Sequence, residues 1–145
     1  MTSVYIPTWM REIVIGRAHG CCEYCQTPAA YSPEIFEFEH PLPRGAQDLP
    51  DLANLAWSCL ACNRYKTTRT SSTDPQTGEV TPLFNPRTDQ WPEHFRWSAD
   101  LLTIVGQTPT GRATVETLKM NRPAIVKFRL ALRSINQHPA QLVER

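Results

Sequence analysis

Apolar residues at Trp9, Met10, Ile13 and Val14 recur at helical spacing and predict a first helix from Thr8, as its cap, to about Arg17. Gly16 weakens its last turn and Gly20 ends it. The pattern then changes period. Ile35-Phe36-Glu37-Phe38-Glu39 alternates apolar and acidic residues, as a half-buried strand does, and His40 with Pro41 and Pro43 closes the run. A polar loop from Arg44 to Asp51 follows, then a short strand, Leu55-Ala56-Trp57-Ser58, and a helix from about Leu60 to Thr67. The middle of the chain therefore reads strand, loop, strand, helix.

Beyond it, Thr70 to Gly78 is polar and rich in turn formers, and is expected to be an exposed connection. Phe95-Arg96-Trp97 and Leu102-Thr103-Ile104-Val105 predict a hairpin joined near Ala99-Asp100, and Gly111 to Met120 a helix. Pro123 suits the first position of a last helix, with Asn121 or Arg122 near its cap. Ile125, Phe128, Leu132 and Ile135 share one face of that helix, with Lys127, Arg129 and Arg133 largely off it. No repeat, low-complexity tract or convincing linker divides the chain, so residues 1–145 are read as one domain of the α+β class.

Composition adds limits. The chain has 145 residues, 41% apolar and 20% charged, as an ordinary globule does, and no apolar run long enough to span a bilayer. The N-terminal Met1 to Pro7 lacks the basic and apolar regions of a secretory signal, which makes the reducing cytoplasm the expected compartment. There, paired cysteines are more often metal ligands than disulfides. Net charge is only +1, but residues 1–63 carry −4 and residues 64–145 carry +5. Basic charge begins with Arg64, Lys66 and Arg69; a phosphate backbone needs such a local surface, not a basic total.

Two Cys-x-x-Cys pairs, Cys22–Cys25 and Cys59–Cys62, carry the strongest chemical signal. Four thiolates suit one tetrahedral Zn²⁺ and leave no open position, so the ion would be structural. It would close the loop of residues 26–58 and pin both ends of the segment bearing His40. Cys21 offers an alternative to Cys22, with the Cys22 spacing favoured because it matches the second pair.

Glu39-His40, then Asn54, then Cys62-Asn63-Arg64, set inside the cysteine frame, resembles the HNH endonuclease family, in its zinc-bearing branch. The resemblance is strong over about residues 17–70 and weak over the C-terminal extension, about 80–145. It implies a ββα-metal (His-Me finger) core stapled by a four-cysteine zinc site, extended by the β-hairpin and helix. It also implies metal-dependent cleavage of phosphodiester bonds, most often in DNA. His40 matches the first histidine of the signature, Asn54 the middle asparagine and Asn63 the last position, where asparagine is an accepted variant. The family commonly has aspartate where this chain has Glu39.

The residue types make chemical sense on their own. A histidine titrating near neutrality can take the proton from water. Asn54 is a candidate brace for the loop, through side-chain contacts to backbone groups. Glu39 and the amide oxygen of Asn63 would bind a hard catalytic cation, Mg²⁺ or Mn²⁺, and Arg64 and Lys66 would contact flanking phosphates. Taken singly, each is an ordinary surface or turn residue; the order and spacing favour the catalytic reading. A zinc-stabilised DNA-binding module without catalysis is the main alternative, and a zinc-stapled protein-interaction domain the next. Outside this core, Arg87, His94, His19 and Trp97 read as structural or surface residues, and His138 receives no role.

Overall fold

A computed structural model describes residues 5–45 and 48–140, so the ends of the chain and part of the loop around Ala46 and Gln47 lie outside the described residues. The first helix, α1, spans Thr8–Arg17. Its cap is Pro7, not Thr8: the Pro7 carbonyl accepts from the amides of Met10 and Arg11 at 3.0 and 3.1 Å. Proline needs no donor there, and it leaves Thr8 already helical. Gly20, at φ +71°, stops the chain as expected, its amide reaching back to the Ile15 carbonyl at 3.1 Å.

Strand β1, Phe36–Glu39, pairs antiparallel with β2, Ala56–Cys59, in the register Phe36–Cys59, Glu37–Ser58, Phe38–Trp57 and Glu39–Ala56. Helix α2, Leu60–Lys66, follows β2 without a break, which completes the ββα unit. The strand alternation sorts its side chains cleanly. Phe36 and Phe38 stack on Trp57, while Glu37 and Glu39 face α2. Ile6, Met10, Val14 and Leu55 pack with Phe38, Leu52 and Trp57 into a cluster that seats α1 on β2.

The segment read as an exposed connection is exposed apart from Asp74 and the half-buried Ser72, but it also folds as part of a hairpin, β3 (Ser71–Thr73) with β4 (Val80–Pro82). Its organiser is Asp74, fully buried, which receives two hydrogen bonds from Arg112 at 2.9 and 3.0 Å and others from the Gln76 amide and Thr77 hydroxyl. Arg112 holds the Asp74 carboxyl far below the usual carboxylate range, so it stays ionised. A polar run with no apolar alternation gives no sign of that distant arginine.

After the short helix α3, Trp91–His94, strands β5 (Phe95–Trp97) and β6 (Ile104–Gly106) form the expected hairpin, with Leu102 and Thr103 in its turn. Helix α4, Pro109–Thr117, crosses β6 at close range. A Cβ on Gly111 would lie 2.0 Å from the His94 carbonyl oxygen, and one on Gly106 would lie 2.4 Å from the Arg112 amide nitrogen. Gly111→Ala is therefore expected to push α4 off the hairpin and cost about 1–3 kcal/mol, the usual penalty of overpacking. Urea unfolding measures it, and an unchanged midpoint would show that the helix is not held at that distance.

The last helix, α5, spans Pro123–Ser134 with Arg122 at its cap. Ile125 and Leu132 are buried as expected, but Ile135 is exposed and Arg129 is buried. Arg129 lies over the Trp97 ring and donates to the carbonyls of Leu102 and Met120 and to Asn121. A guanidinium with that many acceptors can be buried at tolerable cost. The main core joins both parts of the chain: Cys22, Tyr24, Cys25, Ala56, Cys59 and Cys62 pack with Phe84, Phe95, Ile104, Leu118 and Met120.

Candidate active site

The four cysteines Cys22, Cys25, Cys59 and Cys62 are buried, and their sulfurs lie within 4.8 Å of one another. Cys25 Sγ and Cys59 Sγ are 3.7 Å apart. Zinc–sulfur bonds of about 2.3 Å in a tetrahedron require sulfurs about 3.8 Å apart, so the cluster suits that ion. Local structure aims the thiols. Cys59 caps α2, its sulfur accepting from the Cys62 amide at 3.4 Å, and Cys25 contacts the Thr27 hydroxyl at 3.1 Å. Hydrogen bonds from Cys22, Cys59 and Cys62 hold the Cys25 thiol down, while the proximity of Cys22 and Cys25 pushes Cys59 and Cys62 up. Full ionisation of such a group calls for a cation at its centre. Cys21 is left outside: it bridges Pro28 through the backbone and turns its sulfur toward the His19 carbonyl at 3.6 Å.

Lys66 does not serve as a surface cation. It is almost fully buried and pairs with Glu39 Oε1 at 2.7 Å, while Tyr24 donates its hydroxyl to Glu39 Oε2 at 2.8 Å. Burial, followed by the Glu39 charge, keeps the Tyr24 hydroxyl protonated well above its usual range, as a donor must be. The ammonium of Lys66 also reaches the carbonyls of Pro41 at 3.0 Å and His40 at 3.5 Å. One buried cation thus ties the backbone at and just after the histidine to the carboxylate just before it. Lys66→Met leaves the Glu39 carboxylate buried without its counter-charge, and the expected cost is about 3–5 kcal/mol in urea unfolding. Adding Glu39→Gln should recover part of it; a single variant as stable as wild type would contradict the pairing.

His40 sits half-buried at the end of β1. Burial first, then the charges of Arg44 and Lys66, lowers its proton affinity, so the imidazole is neutral at neutral pH. Among the described residues its ring has no hydrogen-bond partner. Asn54 clasps the following loop from the other side: its Oδ1 accepts from the Leu42 amide at 3.0 Å, and its Nδ2 donates to the Leu42 carbonyl at 2.9 Å. Arg17 pins the turn that carries Asn54, donating to the carbonyls of Leu52 and Leu55 at 2.7 and 2.6 Å. Asn63, one helical turn before Lys66, donates from Nδ2 to Glu37.

Lys66 thus ties Glu39 to the His40–Pro41 backbone, Asn54 holds the loop at Leu42, and Asn63 meets Glu37 on the α2 face of β1, so the four expected residues stand in different states. A hard divalent ion needs oxygen ligands that are free to bind it. Asn63 offers its amide oxygen, whereas Glu39, paired with Lys66 and held by Tyr24, does not fit as a ligand. Arg64 is exposed on α2 and remains the phosphate-binding candidate there. A cleft of about 450 Å³ lies elsewhere, between Arg17, Glu23, Arg87 and Trp91. None of His40, Asn54, Asn63 and Glu39 lines it.

Residues 22–69 match the family model of the HNH endonucleases. Over this third of the chain the similarity is to the HNH family. The match begins at the first zinc-type cysteine and covers the ββα unit, with His40, Asn54 and Asn63 inside it. No curated protein and no solved structure matches the chain. At the level of the family, the match points to a nuclease-type hydrolytic function. Among the described residues, no helix is long and apolar enough to cross a membrane.

Three contributors escaped the sequence reading. Tyr24 lies between two zinc-type cysteines, and its position in the sequence gives no sign of a partner. Arg17 looked like the end of a helix. Glu37 did carry a signal, since the strand alternation puts it on the same face as Glu39.

Proposed function

We propose that this protein is a divalent-metal-dependent endonuclease that hydrolyses phosphodiester bonds in DNA, with His40 as general base. The observation that carries this reading is the mounting of His40: a neutral imidazole, half-exposed, whose own carbonyl and that of Pro41 are held by Lys66 and whose following loop is clasped by Asn54. Such an imidazole is free to take a proton from water. The water oxygen attacks phosphorus, the proton passes to the imidazole, and the bond from phosphorus to one ester oxygen breaks.

Asn63 would hold Mg²⁺ or Mn²⁺ through its amide oxygen, with water and phosphate oxygens in the remaining positions. Such an ion supplies charge stabilisation for the phosphate and for the departing oxygen. Arg64, exposed on α2, would contact a flanking phosphate; Lys66, paired with Glu39, would not. The four-cysteine cluster would hold structural Zn²⁺, for which a reducing cytoplasm keeps the thiols available. The test is nicking of supercoiled plasmid DNA by the purified protein, with Mg²⁺, with Mn²⁺ and with neither. Cleavage that depends on the added ion is expected, and its absence with both ions would refute the reading.

The sequestered state of Glu39 favours a second reading, a zinc-stabilised DNA-binding module without catalysis. DNA binding at low salt with no cleavage under any divalent ion would establish it, because phosphate contacts are strongest there.

A further inference from the structure

Glu37 precedes the matched signature pair by two residues and faces α2 together with Glu39. Their fates differ. Glu39 is buried, and both its oxygens are engaged by Lys66 and Tyr24. Glu37 is half-buried, makes no ion pair among the described residues, and accepts a hydrogen bond from Asn63 Nδ2.

A carboxylate has acceptors and no donors, whereas a side-chain amide has both. Asn63 must therefore turn its nitrogen to Glu37, and its Oδ1 to the opposite side. That oxygen accepts no hydrogen bond from any other described residue. The orientation of the amide, ordinarily ambiguous, is settled here by the chemistry of its neighbour.

We propose that Glu37 is a positioning residue: it fixes the amide of Asn63 so that Oδ1 is presented to a divalent cation. This rests on the metal-dependent nuclease reading and adds a residue to it. Groups that orient a ligand commonly account for a 10–100-fold change in metal affinity when removed.

The experiment is Mn²⁺ binding to the full-length, zinc-loaded protein, followed by the free-ion electron paramagnetic resonance signal. Wild type is compared with Glu37→Gln, Asn63→Ala and the double variant; zinc content and melting temperature are recorded for each. Glu37→Gln is expected to weaken Mn²⁺ binding about 10-fold or more, with zinc and melting temperature unchanged. Glutamine can accept from or donate to the amide, so it no longer dictates which end of Asn63 faces out. Asn63→Ala should lose at least as much, and the double variant should bind no worse than Asn63→Ala alone, because Glu37 acts through Asn63.

Glu37→Asp, which keeps the charge on a shorter arm, should fall between wild type and Glu37→Gln, and serves if the glutamine variant does not fold. Wild-type Mn²⁺ affinity in Glu37→Gln, fully additive losses in the double variant, or no Mn²⁺ binding by the wild type would each overturn the proposal. Plasmid nicking by the same wild-type preparation separates the two readings. Nicking with unaltered Mn²⁺ affinity in Glu37→Gln removes the role of Glu37 and leaves the nuclease standing.

Discussion

Cys59→Ser protein is expected to purify without stoichiometric zinc and to melt without a cooperative transition, and the wild type to carry about one zinc per chain. This position joins three duties. Its sulfur is one of four that converge, it accepts the Cys62 amide as the cap of α2, and its backbone pairs with Phe36 at the end of β2. The cluster also lies in the middle of the main core, against Tyr24, Ala56, Phe84, Phe95 and Met120. Structural zinc contributes roughly 10–16 kcal/mol of apparent binding energy in small peptides. The net stability of a whole domain is only about 5–15 kcal/mol. Loss of the ion therefore exceeds what the fold can absorb. Metal analysis and calorimetry check it, with Cys21→Ser as the control that keeps its metal. A cooperative, wild-type-like transition in metal-free Cys59→Ser would show that the core holds without the ion.

His40→Ala should reduce divalent-dependent plasmid nicking by about 10²–10⁴-fold, the range typical of a lost general base. The same variant should keep its zinc and change in stability by no more than about 1 kcal/mol, because the ring is half-exposed and bonds to no described neighbour. The contrast between the two measurements is what identifies a base. A variant that loses activity together with zinc would have lost its fold, and one that nicks as fast as wild type would exclude His40 from the chemistry. Lys66→Met gives the complementary pattern: stability should fall first, and activity with it, since Lys66 acts on His40 through the carbonyls it holds.

The parts of this architecture legible in the sequence are those encoded by spacing. The cysteine pairs, the acidic–apolar alternation of β1, the direct passage from β2 into α2 and the proline opening α5 all have local signatures. The choice between Cys21 and Cys22 was half legible. Matching intervals favoured Cys22, and the convergence of its sulfur with the other three decides it.

What stayed hidden depends on partners distant in the chain. Asp74 becomes a buried organiser only because Arg112 arrives from α4, 38 positions later. Arg129 and Lys66 look like surface charges because long cations usually are. Each is buried by acceptors that no short window of sequence displays together. Glu39 shows the same limit from the functional side. Its place beside His40 suggested a ligand, but Lys66 and Tyr24, 27 and 15 positions away, decide what its carboxylate can do.

The shared core carries a consequence for how such chains can be divided. The family signature ends at residue 69, yet the walls around the cysteine cluster include Phe84, Phe95, Leu118 and Met120. A fragment cut at the edge of the signature would open the thiol cluster to water on one side, where oxidants and chelators could reach it. Similarity of sequence and continuity of burial thus draw two different borders on this protein. Transplanting the signature alone into another chain would carry the ligands and leave their shelter behind.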